Sequence, residues 1–366
     1  MHIQISREDL LKPLGHVVAV IERRQALPIL ANVAMSAHAG VMQLTGTDLE
    51  IELVATAKLN ATSEGEVTVP GRKLYDICRA LPAEAVVEIK QEGDRAHVKS
   101  GKSRFTLTTL PIVDFPNVEG GSWEMETALR QEDLKQVIDR TCFCMAHQDV
   151  RYYLNGLLLE LSGERLRAVA TDGHRMGLSE IGLAKPVAAE RQVIVPRKGV
   201  LEIGRFLNTS DDPVTVSISS NHIRISVEDV ILTSKLIDGR FPDYQQVLPV
   251  NYRRIVRAQR ILLREALMRV AILANEKYRG VRLTVRPATL LITAHNPEQE
   301  EAQEELPVTY EGEEVEVGFN VNYLLEALGG LDSEEVELHI NDAHSSCAVL
   351  APGHTDTRYV VMPMRL

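Results

Sequence analysis

The segment "EVTVPGRKLYDICRALP" beginning at Glu66 returns as "QVIVPRKGVLEIGRFLN" at Gln192 and, less closely, as "EVEVGFNVNYLLEALGGL" at Glu314. Each copy reads as a short β-branched strand, a corner, and then a helix. The first two share Val-Pro at the corner and a constant offset of 126, and the third lies a further 121 along. Leu74, Ile77, Cys78 and Leu81 match Val200, Ile203, Gly204 and Leu207, and then Val321, Leu324, Leu325 and Leu328. These form the i, i+3, i+4, i+7 stripe of one buried helix face. A threefold repeat of about 120 residues is too large for a solenoid element, so three similar domains in a row are expected.

The other half of each copy repeats as well. Ser6 with Asp9 marks a capping box, after which Leu10, Leu14, Val17, Val18 and Ile21 share a face that Pro13 should kink. Leu134, Val137, Ile138, Thr141, Cys142 and Met145 give the second such face, and Leu262, Leu263, Ala266, Leu267, Val270 and Leu273 the third. Alternating strands such as "RFTLTTLP", "ILTSKLID" and "RYVVMP" close the copies. The pattern predicts an α+β fold, each domain an antiparallel sheet covered on one face by two helices. Breaks near "NVEGGS" and "LPVNY" divide the chain into residues 1–121, 122–248 and 249–366.

By the same repeat, the apolar ending "RYVVMPMRL" is the last strand of the third copy. One buried face would satisfy a terminal strand. Here Val360 and Met362 alternate with Val361 and Pro363, so both faces are apolar and one is expected to be left for a partner.

Composition removes several classes of function. The chain is 45% apolar and 25% charged, has no stretch suited to a membrane span, and begins without the features of a signal peptide, so a soluble cytoplasmic protein is expected. Four cysteines are too few for a disulfide framework, and Cys142, Cys144 and His147 have no fourth partner at metal-binding spacing. The formal charge of −11 is unevenly spread, because the nine Glu of Asn296–Glu316 carry −9 with no Lys or Arg among them. Such a run reads as a solvated loop or as a docking strip for a basic surface.

Catalytic signals are weak. Gly101-Lys102-Ser103 ends like a P-loop, but Ala96 stands where the motif needs Gly. Asp172, His174 and Arg175 lie together in "TDGHRMG", yet Thr171-Asp172 matches Thr47-Asp48 one repeat earlier and so belongs to the scaffold. A triplicated enzyme or small-ligand binder centred on Asp172, His174 and Arg175 is the alternative reading.

Taken together, "LTGTDLE", "VPGRKLYDICRALP", "SRFTLTTLP", "MAHQDVRYYLNG", "ATDGHR", "VIVPRKGV", "DGRFPDY", "AILANEKYRGVRL", "NPEQEEA" and "YVVMPMRL" closely resemble the bacterial replicative sliding clamps, the β subunits of DNA polymerase III. The resemblance runs the full length in order. It implies a ring-shaped head-to-tail homodimer of three-domain chains, helices inside and sheets outside, sliding on duplex DNA without an active site, metal or cofactor. The implied partners are duplex DNA bound regardless of sequence, a second copy of the chain, the replicative polymerase, the clamp loader, translesion polymerases and mismatch-repair proteins. No membrane is involved.

The resemblance also distributes residues among surfaces. Arg24, Arg72, Lys73, Arg79, Gln148, Tyr152, Tyr153, Arg197, Lys198 and Arg205 are implied to face nucleic acid. Arg72 matches Lys198 and Arg79 matches Arg205 across the repeat; the third copy has Phe319 and Glu326 there, so its lining charge falls to Arg264 and Arg269. A groove for short partner peptides is implied at Leu154, Thr171, Gly173, His174, Arg175, Met176, Pro242, Val247, Asn320, Tyr323 and Ser346, with Val360, Val361, Met362, Pro363, Met364, Arg365 and Leu366. Gln246 stands beside it where the best-known members carry Arg. The dimer contact is implied to set Lys73, Arg95, Lys102, Arg104, Phe105 and Leu107 against Ile272, Leu273, Glu298, Glu300, Glu301 and Glu304 of the next chain.

Overall fold

A computed structural model describes residues 1–22, 27–59, 61–118, 121–248 and 252–365. The expected breaks at 117–122 and 248–252 fall in part outside these residues, as do Arg24 and Leu366.

Every repeated corner turns from strand to helix as the sequence requires. Gly65–Pro70 leads into α2 (Gly71–Ala80), Arg191–Pro196 into α4 (Arg197–Phe206), and Val315–Asn320 into α6 (Val321–Gly329). Three further helices precede them within the repeats: α1 (Arg7–Val20), α3 (Gln131–Asp139) and α5 (Arg260–Val270). The Ser6 hydroxyl oxygen accepts the Asp9 N–H at 3.0 Å, the expected N-cap. Pro13 lies buried inside α1, which continues through it.

Two helix faces differ from expectation. α3 ends at Asp139, because the Thr141 hydroxyl bonds back to the Val137 carbonyl at 2.5 Å and a 3-10 turn at Cys142–Cys144 follows; Thr141, Cys142 and Met145 therefore lie beyond the helix. In α5, Leu263, Ala266, Leu267 and Val270 are buried, whereas Leu262 is half exposed, one position off the stripe.

The chain divides into two compact units, residues 1–134 with 201–236 and residues 135–200 with 237–366. The first holds a five-stranded sheet and an eight-stranded sheet, both antiparallel, with α1 and α2 packed together and α1 against Ile51–Lys58 and Val41–Thr47. The second holds an eight-stranded and a four-stranded antiparallel sheet, with α5 against α6 and against Thr289–His295 and Glu301–Pro307. The units cut across the repeat because strands of successive copies pair edge to edge. Val230–Lys235 of the second copy pairs with Ile51–Lys58 of the first, and Arg175–Gly182 pairs with the terminal Thr357–Val361. The Gly101-Lys102-Ser103 segment is the turn of a hairpin between Arg95–Ser100 and Ser103–Thr108, not a phosphate loop.

The C-terminal run is largely core. Tyr359 is buried, its hydroxyl donating to the Arg140 carbonyl at 2.8 Å and lying 3.1 Å from that of Gly330. Val360 and Val361 are each 1% exposed, so most of both strand faces is covered within the unit and the spare apolar surface is smaller than the alternation suggests. What remains is past the strand: Met362 is 44% exposed, with Pro363 and Met364 half-buried.

Burial also fixes the thiols. It pushes Cys78 up to about 11 and Cys347 up to about 12, and raises Cys144 and the half-buried Cys142. At pH 8 a thiol reagent should modify Cys142 first and the other three only on unfolding, checked by mass spectrometry of timed samples. Because the folded values lie above the ordinary ~8.5, the thiols' contribution to stability is full below that pH and declines as pH rises beyond it.

Candidate functional site

The "TDGHR" stretch is a hydrogen-bonded turn that the repeat builds twice. The Thr171 hydroxyl donates to the Arg175 carbonyl at 2.6 Å and accepts the Gly173 N–H at 3.1 Å, while one Asp172 carboxylate oxygen accepts the N–H groups of His174 and Arg175. Thr47 and Asp48 make the same four bonds with Ile51, Leu49, Glu50 and Ile51. The third turn residue has positive φ in both, 77° at Leu49 and 88° at Gly173. Glycine suits the second site, where a Cβ would stand 3.0 Å from the Arg151 guanidinium and would have to push it aside.

The turn engages two of the three side chains of the enzyme reading, Asp172 and Arg175, and leaves His174 exposed at its tip. The other Asp172 oxygen receives the Arg175 side chain at 3.1 Å, and Arg175 also donates to the Phe143 carbonyl at 2.7 Å, pairs with Glu326, and stacks 4.6 Å from the Tyr323 ring centroid. The enzyme alternative at Asp172, His174 and Arg175 is thereby replaced by a structural one. Cys144 is buried and His147 exposed; among the described residues no cluster of three metal-ligating side chains forms.

Beside the turn lies a largely apolar groove of about 200 Å³. Of the expected groove residues, Leu154, Thr171, Gly173, Arg175, Met176, Pro242, Val247, Val360 and Met362 line it. His174 is exposed beside it, and its carbonyl accepts the Met362 N–H at 2.9 Å. Tyr323 is tied in through Arg175. Asn320 caps α6 by accepting the Asn322 N–H, and Met364 hydrogen-bonds to Gly318. Ser346, Val361, Pro363 and Arg365 do not line the groove.

Three further residues do line it. Tyr153, assigned to nucleic acid by the sequence, is half-buried against the cluster beneath the groove. Arg151 is fixed by the Asp149 carboxylate at 2.9 and 3.0 Å, and those bonds hold Asp149 down to about 2. Tyr244 supplies a wall. "DVR" announces an Asp-x-Arg turn, but nothing local links either residue to the groove.

The other residues assigned to nucleic acid vary in freedom. Tyr152 is 57% exposed and meets Tyr153 edge-on at 5.8 Å. Gln148 is exposed, at φ 56°. Lys73 is exposed, Arg72 donates to the Ile21 carbonyl at 2.6 Å, and Arg79 lies over Tyr75. Arg205 pairs with Glu202, Arg197 donates to the Met145 carbonyl at 3.1 Å, and Lys198 is half-buried with a partner of its own.

Both halves of the expected dimer contact lie at or near open sheet edges. Ser103–Thr108 ends the five-stranded sheet, with Lys102 and Arg104 exposed, Phe105 half-buried and Leu107 buried; Arg95, on the neighbouring strand, is exposed. Glu301–Pro307 ends the four-stranded sheet, with Glu298, Glu300 and Glu301 exposed, Ile272 77% exposed and Leu273 half-buried. The acidic stretch is not wholly free. Arg269 holds Glu304 at 2.6 Å, and Arg282, Arg286 and Arg254 pair with Glu316, Glu314 and Glu313, so neither Arg269 nor Glu304 is the bare charge the sequence suggested.

Comparison with known proteins covers the whole chain. Models of the N-terminal, central and C-terminal domains of the DNA polymerase III beta subunit match residues 1–119, 128–243 and 245–365. The beta sliding clamps of Pseudomonas putida and Escherichia coli are 51% and 50% identical, over 100% of both chains in each pair. A crystal structure of the Pseudomonas aeruginosa sliding clamp bound to griselimycin superposes with a TM-score of 0.97 at 50% identity, again covering 100% of both chains.

Proposed function

Because this chain belongs to the DNA polymerase III beta subunit family, it serves as a replicative sliding clamp, a processivity factor with no chemistry of its own, and we propose that its apolar groove is the dock for partner peptides. The observation that carries the proposal is the groove floored by Met176 and Val360 and bordered by the exposed Met362. Thioether side chains repack around different guests. A peptide burying one Leu and one Phe there gains ~1.5–3 kcal/mol from each, offset by ordering, which places binding in the micromolar range where partners exchange. The polymerase, clamp loader, translesion polymerases and mismatch-repair proteins are the expected users. No helix among the described residues is long and apolar enough to cross a membrane, and the place of work is the cytoplasm.

Three domains per chain, 1–121, 122–248 and 249–366, close head to tail with a second copy around duplex DNA. Open sheet edges support this closure, one flanked by Lys102 and Arg104 and the other by Glu298, Glu300 and Glu301. Tight phosphate contacts would oppose sliding, and several inner cations, Arg72, Arg197 and Arg205, are already engaged by their own chain. The 57% exposure of Tyr152 supports its stacking on an unpaired base. Loaded protein should remain on nicked circular DNA in high salt and leave the same DNA once it is linearised, read by gel filtration. Equal loss from both forms contradicts topological holding.

A further inference from the structure

Tyr244 lines the groove on one side and is hydrogen-bonded to residues of a second opening on the other. Its apolar face belongs to the buried cluster of Leu158, Val169, Met176, Phe241 and Val360 and lines the groove. Its hydroxyl points the other way, donating to the Glu160 carboxylate and accepting from Arg167 at 2.8 Å. Arg167 is itself held by Glu180 at 2.7 and 2.9 Å, and the second Glu160 oxygen accepts the Gln192 amide at 2.6 Å. Glu160, Arg167 and Gln192 line a separate polar cleft of about 230 Å³, which Tyr244 does not line.

We propose that Tyr244 is a positioning residue for the docked peptide, an assignment that rests on the groove being the peptide dock, and that the Glu160–Arg167–Glu180 relay sets the pitch of its ring. A buried aromatic ring has only two torsions, and a phenol gripped by a carboxylate and a guanidinium has neither free. Tyr244 and Met176 share one buried cluster and both line the groove, so the tilt of the ring shapes the groove surface there. Loosening the relay widens the range of tilts, so each peptide must order the wall as it binds and the groove discriminates less between an aromatic and an aliphatic side chain. The relay is reached through the cleft, away from the peptide, and removing it takes no contact from the peptide itself.

The test compares Tyr244→Phe, Glu160→Gln and the double variant, using fluorescence anisotropy with labelled peptides containing Leu-Phe or Leu-Leu. Tyr244→Phe keeps the ring and should weaken the Leu-Phe peptide about three- to tenfold, as expected for one buried hydrogen bond, and narrow its advantage over Leu-Leu. The double variant should bind no more weakly than the worse single one, since both cut the same relay. Affinities within twofold of the parent, additive losses, or equal losses for both peptides that follow the fall in Tm would overturn the assignment. A parent protein that binds neither peptide would overturn the groove reading and this inference with it.

Discussion

A chain ending at Val361 should lose at least about 30-fold in affinity for a Leu-Phe peptide, the equivalent of about 2 kcal/mol, and should still sediment as a dimer. The strand Thr357–Val361, with the buried Tyr359 and Val360, is kept whole, so the core of the unit survives. What is lost is the Met362 side chain at the groove and two backbone bonds, Met362 to His174 and Met364 to Gly318, both 2.9 Å. Those bonds contribute about 0.5–1.5 kcal/mol each, too little to unfold a domain. Anisotropy beside sedimentation of the truncated protein checks both halves. Undiminished binding by a dimeric truncation would remove the tail from the groove.

Replacing Ile272 and Leu273 together with Ala should yield monomers at micromolar protein. Ile272 is 77% exposed in the single chain, on a 3-10 turn at the end of α5 beside the open edge Glu301–Pro307, where a second copy would bury it. Exposed rim pairs contribute under ~1 kcal/mol each and weaken with salt. Buried apolar anchors carry more, so removing two should cost ~2–4 kcal/mol and raise the dimer dissociation constant ~30- to 1000-fold. Sedimentation over a concentration series measures this, and an unshifted dimer would place the interface elsewhere. Reversing Glu298 and Glu300 should have the smaller, salt-dependent effect.

Local repetition made most of the fold legible. The Val-Pro corners at Pro70 and Pro196 and the buried stripes of α2, α4 and α6 follow from side-chain period and the fixed φ of proline. The Thr171–Arg175 turn was readable because Thr47–Ile51 repeats it. What escaped were features decided at long range. Tyr244 meets Glu160 and Arg167 from 84 and 77 residues away, and Arg269 reaches Glu304 across 35. No spacing rule signals such pairs. The end of α3 escaped for a different reason: Thr141 fits the apolar stripe by position, yet its hydroxyl competes for the Val137 carbonyl.

The pairing of Val230–Lys235 with Ile51–Lys58 sets a timetable for synthesis. Roughly 180 residues separate the two strands, so at ~5–20 residues per second a ribosome works for about 10–35 s after completing the first before the second exists. Throughout that interval Ile51–Lys58 displays a row of unpaired N–H and C=O groups that the finished protein conceals, to any nascent neighbour able to supply a strand. The charged Glu52, opposite Thr233 once the sheet is complete, stands within that open edge and disfavours such pairing while the chain is unfinished.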